Sequence, residues 1–309
     1  MRINLRADRF GARPWTTTLA AAALAAFLAN SAGASHLLGY NFNETGTTAA
    51  ANGSAATAGS PTLNLIGNSG SPADLHAGPG SGVSGAPGDR AFDNTASTGI
   101  LTASRGQHAA DFNPIDGLAT FTLGGWFKLP STATESIGRQ AALFENGTIS
   151  VLDPLAGFRL RGGATANSGT LELRVNRDFM VESPAAYTEI GQWVNFAVTY
   201  DGTKSSNNVQ FYKGTLTSPL ALVSTGSLNA GPAAQDAIPL TVGVTPTSGL
   251  TFNSFNGLLD NFRIWDSVVP LAGLEAVRQG DVGVPEPATG VLVALGLSIS
   301  QGVRRRRHG

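Results

Sequence analysis

Between residues 36 and 265 apolar side chains recur at every second position, segment after segment. A period of two belongs to extended chain, whose successive side chains point to opposite faces; an α-helix needs 3.6. "HLLGYNFN" (36–43) sets Leu38, Tyr40 and Phe42 on one face, and "ATFTLGGWFKL" (119–129) sets Phe121, Leu123 and Gly125 against Thr122 and Trp126. "GTLELRVN" (169–176) alternates Leu171, Leu173 and Val175 with Glu172 and Arg174, and "QWVNFAVTYDG" (192–202) places Val194, Phe196 and Val198 opposite Trp193. "NVQFYKG" (208–214) and "NGLLDNFRIWD" (256–266) follow the same rule, and about a dozen candidate strands are separated by turn-forming clusters. Loop-rich stretches lie at 44–61, 67–89 and 161–169, with no fixed repeat period. Only "VPLAGLEAVRQG" (269–280) has helical spacing: Pro270 suits a first turn, Leu271, Leu274 and Val277 share a face, and Gly280 is placed to stop it. Many strands without βαβ alternation predict an all-β fold, an antiparallel sandwich or closed barrel.

The two ends are built differently. Residues 1–18 hold four arginines and one acid, and "LAAAALAAFLAN" follows, too short to span a bilayer stably. Ala32-Gly33-Ala34 then has the small-x-small form of a signal-peptidase site, which predicts a secretory leader over 1–34 cut between Ala34 and Ser35. The chain closes with "VPEPATGVLVALGLSISQGVRRRRHG". Ala288 to Val303 would span roughly 24 Å as a helix, short of the ~30 Å hydrocarbon core. Arg304, Arg305, Arg306 and Arg307 would stay on the cytoplasmic side. Pro285, Glu286, Pro287, the short apolar run and the arginine cluster together resemble the bacterial PEP-CTERM sorting signal. That resemblance implies recognition by an exosortase-type protease after transient inner-membrane insertion, with the protein ending in the envelope or outside the cell; an unprocessed weak anchor is the alternative.

Setting the ends aside leaves residues 35–284 with 12 basic and 19 acidic residues, a formal charge of −7. That balance argues against a nucleic-acid partner, which is held chiefly by Lys and Arg on phosphates. The absence of cysteine removes disulfides, thiolate nucleophiles and Cys-ligated zinc.

The ordered set "FTLGGWFKL", "GQWVNFAVTYDGT", "VQFYKGT" and "FNGLLDNFRIWDSVVPLAGLEAVRQ" resembles the laminin-G-like jelly roll of the concanavalin A-like lectin/glucanase superfamily. Trp193, Tyr200, Asp201, Gly202, Tyr212, Gly214, Gly257, Asp260, Arg263 and Trp265 occupy the matching places. The resemblance implies a jelly-roll β-sandwich over 35–284 whose first strand pairs beside the last. Trp126 and Trp193 are expected in the sandwich core and Tyr200-Asp201-Gly202 in a hairpin turn. In a regular strand Asp260 and Arg263, an odd number of positions apart, fall on opposite faces.

Many relatives of this fold bind Ca²⁺, an ion that takes six to eight oxygens. Pairing of first and last strands would bring Glu44 and Asp260, with Asn43 and Asn261, to one rim as calcium candidates; an ordinary polar sheet end is the alternative. The family often has Asp where this chain has Asn43. For catalysis the sequence offers little. The glucanase string Glu-x-Asp-x-x-Glu is missing, Glu135, Glu145, Asp153, Glu172 and Asp178 are scattered, and His36, His76, His108 and His308 stand isolated. No catalytic residue is assigned. The expectation is a non-catalytic module binding a glycan or another envelope or matrix component, with a ligand-free structural matrix protein and a diverged glycoside hydrolase as alternatives.

Overall fold

The computed structural model describes residues 36–46, 48–50, 62–67, 70–95, 104–108, 115–130, 142–146, 158–162, 169–176, 180–235, 239–244 and 255–283. All of these belong to the second of the chain's two units, Met1–Gly33 and Ala34–Gly309. The leader over 1–34, the Ala34–Ser35 cut and the tail from Pro285 to Arg307 lie outside the described residues.

Among the described residues the strands are β1 (His36–Tyr40), β2 (Ala49–Ala50), β3 (Leu63–Ile66), β4 (Phe92–Asp93), β5 (Arg105–Gln107), β6 (Thr120–Lys128), β7 (Ala142–Asn146) and β8 (Phe158–Gly162). They continue with β9 (Leu171–Val175), β10 (Met180–Glu182), β11 (Trp193–Asp201), β12 (Val209–Thr215), β13 (Ala221–Gly226), β14 (Thr241–Val242) and β15 (Leu258–Trp265), and one helix, α1 (Leu271–Asp281), closes the series. They build two antiparallel sheets. A seven-stranded sheet runs β1-β15-β6-β11-β12-β13, with β4 also on β15, and an eight-stranded sheet runs β10-β9-β8-β7-β14-β5-β3-β2. The first strand pairs with the last, Tyr40 opposite Phe262, so the expected jelly-roll sandwich is the one observed.

The alternation explains the core. Phe121, Leu123, Phe127, Val194, Phe196, Val198 and Phe262 of one sheet meet Leu63, Leu65, Leu160, Leu171, Leu173 and Val242 of the other, and all are fully buried. Burying each such side chain is worth roughly 1.5–3 kcal/mol. At the β11–β12 hairpin, Gly202 runs so close to Gly231 that a Cβ would stand 2.5 Å from the Gly231 carbonyl. Asp201 there accepts from the Thr203 amide at 3.2 Å and pairs with Lys204 at 2.7 Å.

The seven-stranded sheet buries side chains on its outer face as well. Trp126 and Trp193 are buried, but not in the sandwich core: strand parity sets them opposite Phe127 and Val194, and they pack with Ala77, Val83 and Ala91 of the 77–91 segment. Alongside, α1 covers Ala197, Tyr212, Leu220 and Trp265 with Leu274. The helix face also differs from expectation. Leu271 is 39% exposed, whereas Arg278 is buried, because its guanidinium donates to the Thr215 carbonyl at 2.7 Å and pairs with Glu275. Glu275 in turn accepts from the Leu220 amide at 2.7 Å, and Arg278 above all holds its carboxyl down at about 2. Gly280 does not stop the helix, which runs on to Asp281.

Asp260 and Arg263 lie on the same face, not on opposite ones. The ladder to β6 shifts register between them, and Asn261 takes φ 50°, so one bulged residue restores both side chains to the outer face. Asp260, fully buried, accepts from the Val83 amide at 2.9 Å and the Asn261 amide at 2.7 Å. Burial, reinforced by Asp89 and Asp281, pushes its carboxyl well above the usual carboxylate range despite those donors. Arg263 donates both Nη atoms to Asp281, at 2.8 and 2.6 Å, and the Trp126 indole donates to the same carboxylate at 2.8 Å.

The expected inner-membrane anchoring by a C-terminal helix is corrected. Among the described residues no helix is long and apolar enough to cross a membrane. The described helix, α1, has 11 residues and ends at Asp281; the segment 288–303 lies outside the described residues.

Two predictions follow from these buried polar groups. Asp260→Ala leaves the Val83 amide without its acceptor and lowers stability by roughly 2–3 kcal/mol in urea unfolding, with Asp260→Asn costing less. Between the sheets, the Tyr40 hydroxyl and His108 Nε2 share a hydrogen bond, and burial holds that imidazole down at about 4. The fold therefore keeps His108 neutral. Its contribution is whole above the unfolded value of ~6.5 and is lost as pH falls toward ~4, about 3 kcal/mol in all. The difference in stability between wild type and His108→Gln, measured by denaturation at each pH, shrinks across that window; a constant difference contradicts the assignment.

Candidate functional site

The outer face of the eight-stranded sheet carries polar residues, some exposed and some buried. Directly paired residues of antiparallel strands share a face. The core row across this sheet passes through Leu65, Val242, Leu160 and Leu173. Shifted by one residue, the opposite row carries Asn64, Gln107, Thr241 and Arg174 on β3, β5, β14 and β9, held in register through β7 and β8. Asn64 is exposed, Gln107 and Arg174 are half-buried, and Thr241 is fully buried. Arg105 Nε donates to Gln107 Oε1 at 2.8 Å, which orients the amide, and the Thr241 hydroxyl donates to the Val244 carbonyl at 2.8 Å.

At the β9–β10 end Glu172 stands opposite Glu182 in register. Glu172 is 2% exposed, and Glu182 accepts from the Thr170 hydroxyl at 2.6 Å.

The calcium candidates are each taken up by other partners, and the 74–91 segment supplies most of them. Asn43 Oδ1 accepts from the Arg90 amide at 2.7 Å, and Glu44 lies 3.4 Å from His76 Nε2. Asp260 serves Val83 and Asn261, and the Asn261 side-chain oxygen accepts from Arg263 at 3.2 Å. Among the described residues no group of three or more His, Cys, Asp or Glu is placed to hold a metal. The sequence alone singled out Glu172 and Arg174 as the polar side of a strand. Asn64, Gln107 and Thr241 escaped notice because β3, β5 and β14 are two to four residues long and carry little period-two signal. His76 also escaped, although Asp74 stands two residues before it in the chain.

A family model for the concanavalin A-like lectin/glucanases superfamily matches residues 102–272. No curated protein matches the chain in sequence. Among solved structures, domain 4 of AbnA, a GH43 extracellular arabinanase from Geobacillus stearothermophilus in complex with arabinotriose, is similar with a TM-score of 0.50 and 12% identity, covering 80% of this chain and 100% of that one. The CBM40 of Ruminococcus gnavus IT-sialidase, bound to alpha2,3 sialyllactose, has a TM-score of 0.40 and 17% identity over 52% of this chain and 83% of that one. The binding domain of Paraclostridial Mosquitocidal Protein 1 has a TM-score of 0.49 and 12% identity over 80% of this chain and 52% of that one. At such identities the likeness is one of fold. The family match spans more than half the chain and takes in β5 to β15 of the jelly-roll sandwich: this chain belongs to the concanavalin A-like lectin/glucanase superfamily.

Proposed function

We propose that this protein is a non-catalytic carbohydrate-binding module that holds a glycan across the outer face of its eight-stranded sheet. The observation that carries the reading is the placing of Asn64, Gln107 and Arg174 on one face by the backbone register of the sheet. Planar amide and guanidinium groups on a rigid sheet match the paired hydroxyls of a sugar ring, and their fixed positions limit the ordering cost of binding. The arabinanase domain of similar fold, in complex with arabinotriose, supports a sugar ligand for this architecture. A ligand-free matrix role would require no such row.

A second reading, a diverged glycoside hydrolase, rests on Glu172 facing Glu182. Processing at both ends belongs to the main reading: signal peptidase at Ala34–Ser35 and an exosortase-type protease near Pro285-Glu286-Pro287. The intact mass of protein recovered from producing cells checks it, and a chain retaining both ends counts against it.

The central test is a glycan array followed by titration of the best ligand, with released reducing sugar assayed in parallel. Gln107→Ala and Arg174→Ala should each weaken binding about tenfold, the loss of one or two hydrogen bonds. The melting temperature should change little. Full affinity in both variants would move the ligand off this face. Sugar release abolished by Glu172→Gln would establish the hydrolase instead.

A further inference from the structure

The residues around His76 form a cluster that the sugar-binding face does not use. Its imidazole is 1% exposed, although it sits in the loop-rich 67–89 region that the sequence marks as turns. Asp74 Oδ1 accepts from His76 Nδ1 at 2.7 Å and from the His76 amide at 3.2 Å, and the Gly46 amide also donates to Asp74. The short Nδ1 contact fixes the tautomer with the proton on Nδ1, which leaves a lone pair on Nε2. That lone pair faces Glu44 Oε2 at 3.4 Å, and Nε2 has no hydrogen-bond partner.

In the neutral ring, a lone pair aimed at a carboxylate oxygen is repulsive without a cation between them. A proton there would draw the two atoms to about 2.7–2.9 Å, the length of a charge-assisted bond. Two ligands on a tetrahedral zinc, each 2.0–2.2 Å from the metal, stand about 3.3 Å apart. The separation observed, 3.4 Å, is that of two ligands sharing one metal. Asp74 supplies the remaining element, since metal-bound histidines donate their other ring N–H to a carboxylate that orients the ring.

We propose that His76 and Glu44 bind one divalent transition-metal ion of zinc type, with Asp74 as the positioning carboxylate and water completing the coordination. Imidazole with one carboxylate suits zinc, nickel or copper, whereas calcium requires six to eight oxygens. The ion would tie the turn after β1 to the loop that leads into the 77–91 segment. It is independent of the glycan reading, because neither His76 nor Glu44 belongs to the polar row.

The test is titration of the metal-free full-length chain with Zn²⁺ alone, by calorimetry and thermal melting. One equivalent should bind and raise Tm by roughly 5 °C at a hundredfold excess over Kd. His76→Gln and Glu44→Gln should each abolish the tight site, and Asp74→Asn should weaken it about 10–100-fold. Co²⁺ gives a check that needs no variant: wild type should develop the intense visible absorption of a four-coordinate ion, displaced by Zn²⁺. Absence of binding up to about 1 mM overturns the proposal. So does full affinity in His76→Gln, as a site at another histidine would give, or a preference for Ca²⁺ that survives that substitution.

Discussion

The seven-stranded sheet buries side chains on both sides, and the architecture depends on fastening a cover over its outer face. Fully buried strands normally occur where helices flank a parallel sheet. Here an antiparallel sheet achieves the same condition with one helix and one long loop. The fasteners are carboxylates. Asp260 holds the backbone of the 77–91 segment at Val83, and Asp281 gathers Arg263 and the Trp126 indole beneath the end of α1. Because these groups are buried and mutually satisfied, losing one partner strands another.

The bulge at Asn261 makes this possible. A regular β15 would send either Asp260 or Arg263 into the aromatic core beside Phe262 and Ile264. One extra residue at φ 50° keeps Leu259, Phe262 and Ile264 inward and both charged residues outward. The same strand thereby serves the core, the loop and the helix.

The two sheets consequently divide the work. One carries its own cover and offers little polar surface; the other keeps a polar row in register on the side away from the core. At the β9–β10 end Glu172 stands directly opposite Glu182, a like-charged arrangement that weakens strand pairing. Much of this could be read beforehand at Leu171, Glu172, Leu173 and Arg174, where alternation assigns each residue its side. Nothing at Gln107 or Thr241 announced the same, because strands of two or three residues are recognisable only through their partners.

The sequence by itself determined the alternating faces, the all-β class, the short helix that follows the last described strand and the pairing of β1 with β15 through a family resemblance. These are local properties, since a period of two follows from the geometry of the extended chain. Only the tertiary structure decided which buried face a tryptophan occupies, that Asp260 and Arg263 share a side, and that His76 meets Glu44 from 32 residues away in the chain. Each depends on which distant backbone lies across the sheet or on one inserted residue that reverses parity. A single strand's pattern is the same whether its second face meets water, a loop or a helix.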